Sequence, residues 1–156
     1  MKKIFIVVLT FFAVISLASC KNNNSGKAAS PWNEKTMTYK DSTGTLKITD
    51  IKQVTDFQGK PAITINFTLK NTSSSAYGVT QYTNALLAGY QDDEYLLAAI
   101  IDIDNGNMGD PVAAKATVKS SVSYSLVNEK DEVTLKFISS SSKKAVASYK
   151  IPLPIK

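Results

Sequence analysis

The sequence predicts an all-β domain, an antiparallel sandwich of about seven or eight short strands. Apolar residues recur at every second position from residue 45 onward, and clusters of Gly, Asn, Asp and Ser interrupt that alternation about every 10 to 15 residues. A composition of 44% hydrophobic, 9% aromatic and 20% charged residues in a chain of 156 fits one compact domain. It excludes both a wholly disordered chain and a polytopic membrane protein.

Leu46, Ile48, Ile51 and Val54 mark the first strand, residues 45–54, and the change of spacing between Ile48 and Ile51 predicts a bulge or bend. A turn follows at Asp56-Phe57-Gln58-Gly59-Lys60. Ile63, Ile65, Phe67 and Leu69 then alternate with Thr64, Asn66, Thr68 and Lys70, the pattern of a half-buried strand ending at Asn71. The polar loop Asn71-Thr72-Ser73-Ser74-Ser75 leads to residues 79–91, read as a mixed strand carrying Tyr82, Leu86, Leu87 and Tyr90, after which Asp92-Asp93-Glu94 turns the chain. Residues 95–103 are apolar at nearly consecutive positions and fit either a buried strand or a short helix. Residues 104–111 read as irregular. Val118, Val122, Tyr124 and Leu126 resume the alternation, and Val133, Leu135 and Phe137 follow the Asn128-Glu129-Lys130-Asp131 turn. A hairpin loop over residues 139–144 introduces Ala147, Tyr149 and Ile151, before Pro152 and Pro154 stop the ladder. This count and spacing of strands make the architecture immunoglobulin-like, without the paired cysteines around a Trp that mark antibody domains.

The first twenty residues are an address. Lys2 and Lys3 precede an apolar run, residues 4–18, that is too short to span a bilayer comfortably, which is the pattern of an export signal. Leu17-Ala18-Ser19-Cys20 resembles a bacterial lipobox, which implies diacylglycerol on the Cys20 thiol and cleavage between Ser19 and Cys20. Cys20 is the single cysteine, so no disulfide framework can form, and lipidation gives an otherwise isolated exported thiol a use. Two or three acyl chains hold stably, at about 0.8 kcal/mol per buried methylene. The expected organisation is a signal peptide over residues 1–19, a lipidated Cys20 with a flexible linker over residues 20–35, and the sandwich domain over residues 36–156. The linker is rich in Asn, Ser, Lys and Ala, and a flexible coil of that length reaches on the order of 20 Å. Trp32 is read as a cap on the core edge, with a membrane-interface anchor or a ligand-stacking residue as the functional alternatives.

Chemistry is narrowed by what is missing. All eighteen basic residues are Lys, and there is no Arg and no His. His-based proton shuttles, His metal ligands and Arg clamps are thereby excluded. The formal charge is +5, and loss of Lys2 and Lys3 with the signal leaves +3. Lysines alternate with acids rather than forming a stripe, so no nucleic acid is expected as partner. Asp102, Asp104 and Asp110 belong to an acid-rich region, and Asp102-Ile103-Asp104-Asn105-Gly106-Asn107 begins like a calcium loop. The pattern then departs: Gly106 stands at the fifth position, Asn107 at the sixth and Ala113 at the twelfth, where a bidentate Glu is required. They remain weak metal candidates beside a solvated-turn reading. Ser140 with Lys143 and Ser141 with Lys144 satisfy S-x-x-K, but in a serine run between strands and without the companion elements of penicillin-recognising enzymes. Asn66-Phe67-Thr68 and Asn71-Thr72-Ser73 match glycosylation sequons, a match expected to be accidental because the lipobox resemblance implies a bacterium. Tyr77, Tyr82, Tyr90, Tyr95 and Tyr124 offer amphipathic contact area if exposed, and core positions with their hydroxyls at the edge otherwise.

Lipobox, tether and strand order together resemble the exported Gram-positive lipoproteins that carry an immunoglobulin-like (telokin-like) domain of unknown function, over roughly residues 38–152. The resemblance is carried by the opening strand from Gly44 to Ile51, by Gln58-Gly59-Lys60, by Phe67-Thr68-Leu69-Lys70-Asn71-Thr72-Ser73, and by Gly89-Tyr90-Gln91-Asp92-Asp93-Glu94-Tyr95-Leu96. Val112-Ala113-Ala114-Lys115 replaces the family's Pro-Gly step before the late strand. The resemblance implies a surface-exposed binding or envelope module. The expectation is a non-enzymatic, lipid-anchored extracytoplasmic module on the cell membrane that binds an envelope protein, peptide or polymer, with no cofactor apart from the diacylglycerol on Cys20. The alternatives are a small envelope hydrolase using paired carboxylates and a calcium-dependent adhesion or structural domain.

Overall fold

The alternating apolar positions of the long strands turn to one side and meet across a single core. The computed structural model describes residues 30–101, 111–139 and 141–155. Among the described residues the strands are, in chain order, β1 (Trp32–Asn33), β2 (Thr38–Lys40), β3 (Gly44–Thr55), β4 (Pro61–Asn71), β5 (Tyr77–Gly78), β6 (Leu87–Gln91), β7 (Glu94–Tyr95), β8 (Pro111–Val112), β9 (Thr117–Ser125), β10 (Val133–Ile138) and β11 (Ala145–Ile151), with a 3-10 turn at Glu34–Thr36 and one α-helix, α1 (Val79–Leu86), between β5 and β6. One sheet has the order β1-β2-β3-β4-β9 and the other β11-β10-β6-β7, and β5 pairs with β8. Every pairing is antiparallel. The protein is an all-β sandwich, as its alternation predicts.

Leu46 and Ile48 of β3, with Ile63, Ile65, Phe67 and Leu69 of β4, face Val133, Leu135 and Phe137 of β10 in one buried cluster. Burial of each such side chain contributes about 1.5–3 kcal/mol, so this face fixes the register of the strands. The slip foreseen between Ile48 and Ile51 is a bulge: Ile48 opposes Phe67 and Asp50 opposes Asn66, which leaves Thr49 as the extra residue. The 56–60 turn closes with Asp56 N–H donating to Lys60 C=O at 2.8 Å, and Gly59 takes the positive φ of 78° that the turn requires.

Three sequence expectations change. Residues 79–91 are not one strand: Val79 to Leu86 forms α1, and only Leu87–Gln91 is extended. The buried residues of that helix are Val79, Thr83 and Leu86, a spacing of four and then three that turns one helical face to the core. The folded body also begins before residue 36, because Trp32 and Asn33 pair with Tyr39 and Thr38. Trp32 is buried, its ring stacked on Phe137 at 4.5 Å, so it caps the core edge as read from the sequence and joins the two sheets. The strip 96–101 is neither a helix nor a buried strand. Leu96 N–H donates to Gly89 C=O, Ala99 N–H to Ser123 C=O and Ser125 N–H to Leu97 C=O, each at 2.9 Å, so the chain crosses from the margin of one sheet to the margin of the other. Gly89 permits the crossing, since a Cβ there would stand 3.2 Å from Cγ of Tyr124.

Candidate functional site

The strand register gives the sandwich two distinct ends. At the end where the chain enters, Asp41-Ser42-Thr43-Gly44 turns β2 into β3, and Asp41 organises the turn. Its Oδ1 accepts from Thr43 N–H at 2.7 Å, from the Thr43 hydroxyl at 2.8 Å and from Gly44 N–H at 2.8 Å, while the Tyr82 hydroxyl donates to Oδ2 at 3.2 Å. Tyr77, from β5, donates to Thr43 C=O at 3.4 Å and stacks on the Tyr82 ring of α1 at 5.1 Å. Both phenols crowd Gly44, where a Cβ would lie 2.8 Å from the Tyr82 hydroxyl oxygen and 2.9 Å from that of Tyr77. Together with Gln81, Ala85, Leu86 and Ile138 these residues line a cleft of about 220 Å³.

Electrostatics in the cleft favours holding protons over transferring them. Burial first, and the Asp41 charge second, push the Tyr77 hydroxyl up to about 12 and raise that of Tyr82 further. A phenol so raised stays neutral at ordinary pH and acts as a hydrogen-bond donor. The cleft suits an apolar group with a polar tip.

The opposite end carries the exposed apolar surface. Phe57, Leu97, Ile100 and Val127 are 63%, 68%, 56% and 51% exposed. Phe57 N–H donates to Ile100 C=O at 3.0 Å, which holds the 56–60 turn against the crossing strip. Large apolar side chains gathered at one end in this way are the usual mark of a contact surface. Nearby, Asp92 and Asp93 adopt φ of 49° and 64° in the two-residue turn between β6 and β7. Asn128 Nδ2 donates to Asp131 Oδ2 at 2.7 Å and to Asp92 Oδ2 at 3.5 Å. Desolvation, and then the Asp131 charge, raise the Asp92 carboxyl above its ordinary range. This is the carboxylate pair closest to the hydrolase alternative, and it lies exposed on turns.

Of the residues singled out from sequence, Ser19, Cys20, Asp102, Asp104, Asp110 and Ser140 lie outside the described residues. Among the described residues no group of His, Cys, Asp and Glu is placed to hold a metal ion, and no helix is long and apolar enough to cross a membrane. The tyrosines divide: Tyr124 is buried in the core, Tyr77 and Tyr82 line the cleft, and Tyr90 meets the exposed Tyr95 edge-on at 5.6 Å with the Lys136 ammonium 3.7 Å from its ring centre. Asp41 is a site residue that sequence reasoning missed. Its signal was the Asp-x-Thr-Gly spacing of a side-chain-capped turn.

Fold and surface define a small all-β sandwich domain with an apolar cleft at the end where the chain enters and exposed apolar side chains at the other. The family is DUF5067, a domain of unknown function: its profile matches residues 18–139, and the chain belongs to it. The expected resemblance to proteins with a domain of unknown function is met at that level. No curated protein matches the chain. Several solved structures share the fold. A candidate lipoprotein from Staphylococcus aureus has a TM-score of 0.64 at 15% identity, covering 74% of this chain and 87% of its own. A protein from Enterococcus faecalis has a TM-score of 0.66 at 22% identity, covering 78% and 92%. A candidate lipoprotein from Bacillus subtilis has a TM-score of 0.59 at 17% identity, where 77% of this chain spans 39% of that one.

Proposed function

We propose that the protein is a lipid-anchored module of the bacterial cell envelope, moored by diacylglycerol on Cys20 with its sandwich facing the extracytoplasmic side, and that it works by contact with an envelope protein, peptide or polymer instead of by catalysis. The observation that carries the reading is the order of parts: Leu17-Ala18-Ser19-Cys20, then a polar linker, then a body that is already folded at Trp32. The family match begins at residue 18 and so takes in Ser19 and Cys20. Two structural neighbours described as candidate lipoproteins point the same way. Contact is supported by the exposed Phe57, Leu97 and Ile100, and non-catalytic action by the absence of His and Arg and by cleft phenols held neutral. Labelled fatty acid fed to cells producing the protein should enter the wild-type chain and be lost in Cys20→Ser. Label that persists in the variant, or a mature chain that begins elsewhere and bears no acyl mass, overturns the proposal.

A further inference from the structure

We infer that the end of the sandwich where the chain enters is a membrane-facing surface, whose exposed lysines lie on an anionic lipid headgroup layer and hold the domain in one orientation. The inference rests on the lipid-anchored reading above and adds to it a surface and a partner chemistry.

Register places five exposed lysines at one end. Lys40 pairs across from Thr45 at the start of β3, and its N–H donates to Pro31 C=O at 2.9 Å, which fixes where the linker joins the body. Lys70 opposes the same Thr45 on one side and Thr117 on the other. Lys115 reaches Thr72 C=O at 2.6 Å. Lys143 and Lys144 occupy the β10–β11 loop just beyond Ile138, which lines the cleft with Asp41. Among the described residues the carboxylate at this end is Asp41, and both of its oxygens are engaged in hydrogen bonds.

The far end has the opposite sign. Asp56, the Asp92-Asp93-Glu94 turn, and Glu129, Asp131 and Glu132 gather there, seven carboxylates against Lys60, Lys130 and Lys150, of which Lys150 is paired with Glu132 at 2.6 Å. The formal charge of the whole chain hides this separation. Lysines within a Debye length of a negative lipid surface are attracted to it and carboxylates are repelled, so the anchored sandwich stands with its acidic end outward. The strand β3 spans its length, about 40 Å for its twelve residues. Phe57, Leu97 and Ile100 are thereby presented away from the bilayer.

The test uses the full chain purified from bacterial membranes, with its intact mass recording the acyl group on Cys20. Because Cys20 is the single cysteine, Ser142→Cys and, separately, Gln58→Cys each supply one free thiol for a fluorescent label. The proteins are reconstituted in vesicles of phosphatidylcholine alone or mixed with phosphatidylglycerol, with a quencher on the lipid headgroups. Quenching at position 142 should exceed that at position 58 several-fold with phosphatidylglycerol present. The difference should collapse in phosphatidylcholine alone, at molar salt, and in Lys143→Glu/Lys144→Glu. Equal quenching at the two positions, or a difference indifferent to phosphatidylglycerol, overturns the inference while the acyl mass leaves the anchor standing. A chain without the acyl mass overturns both.

Discussion

Gly44 lies against the stacked pair Tyr77 and Tyr82, whose hydroxyl oxygens would stand 2.9 and 2.8 Å from a Cβ there. Gly44→Ala is expected to cost about 1–3 kcal/mol, read as a lower urea midpoint at unchanged slope. A second fixed point is Gln91, buried between the sheet and the 127–131 turn. Its amide donates to Asn128 C=O at 2.9 Å and Asp131 C=O at 2.7 Å, and its carbonyl accepts from Val127 N–H at 2.8 Å and Asn128 N–H at 3.1 Å. Gln91→Leu keeps the bulk and orphans those backbone groups, so a loss of about 2–4 kcal/mol is expected. The tyrosines set the alkaline limit. Burial raises Tyr39, Tyr77, Tyr82 and Tyr124 above the ordinary 10.0. Above that pH the unfolded chain loses phenolic protons that the folded chain keeps, so stability is full below about pH 10 and falls as pH rises beyond it. Denaturant melts across that range should show the decline, and Tyr82→Phe should make it shallower.

Among the elements, the bulge in β3 makes a sharp comparison. Deleting Thr49 removes only the unpaired residue and leaves Ile48 opposite Phe67 and Asp50 opposite Asn66, whereas deleting Lys52 moves Gln53 and Val54 to the wrong faces. The first deletion is expected to fold, with a melting temperature well above that of the second. The bulge was legible because it changes the spacing of apolar residues within a strand whose two faces differ. The same contrast of faces made β4, β9, β10 and β11 legible. Helix α1 was not, because Val79, Thr80, Tyr82 and Thr83 are residues at home in strands, and eight residues give barely two turns of period. Packing of Val79, Thr83 and Leu86 against the core decides its conformation. β1, β5, β7 and β8 have two residues each, too few to show any period.

For the molecule as a whole, Trp32 ties the entering chain to both sheets. Trp32→Ala is expected to cost about 3–5 kcal/mol, and a body begun at residue 36 should melt well below one begun at residue 21. The cleft could not be read from the sequence, because Asp41, Tyr77, Tyr82 and Ile138 become neighbours only when the two sheets close on each other. Charge behaved likewise: lysines and acids interleave along the chain and separate only in space. The crossing strip has a last effect, on crowding. Molecules moored as proposed meet side by side in two dimensions, where bare strand margins invite one copy to zip onto the next. Here residues 97–99 cover β9 at Ser123 and Ser125, and β1 and β7 offer two residues each, so the margins left open among the described residues are the start of β9 and β11. In a layer of domains moored as proposed, those two margins are where a neighbouring copy would pair.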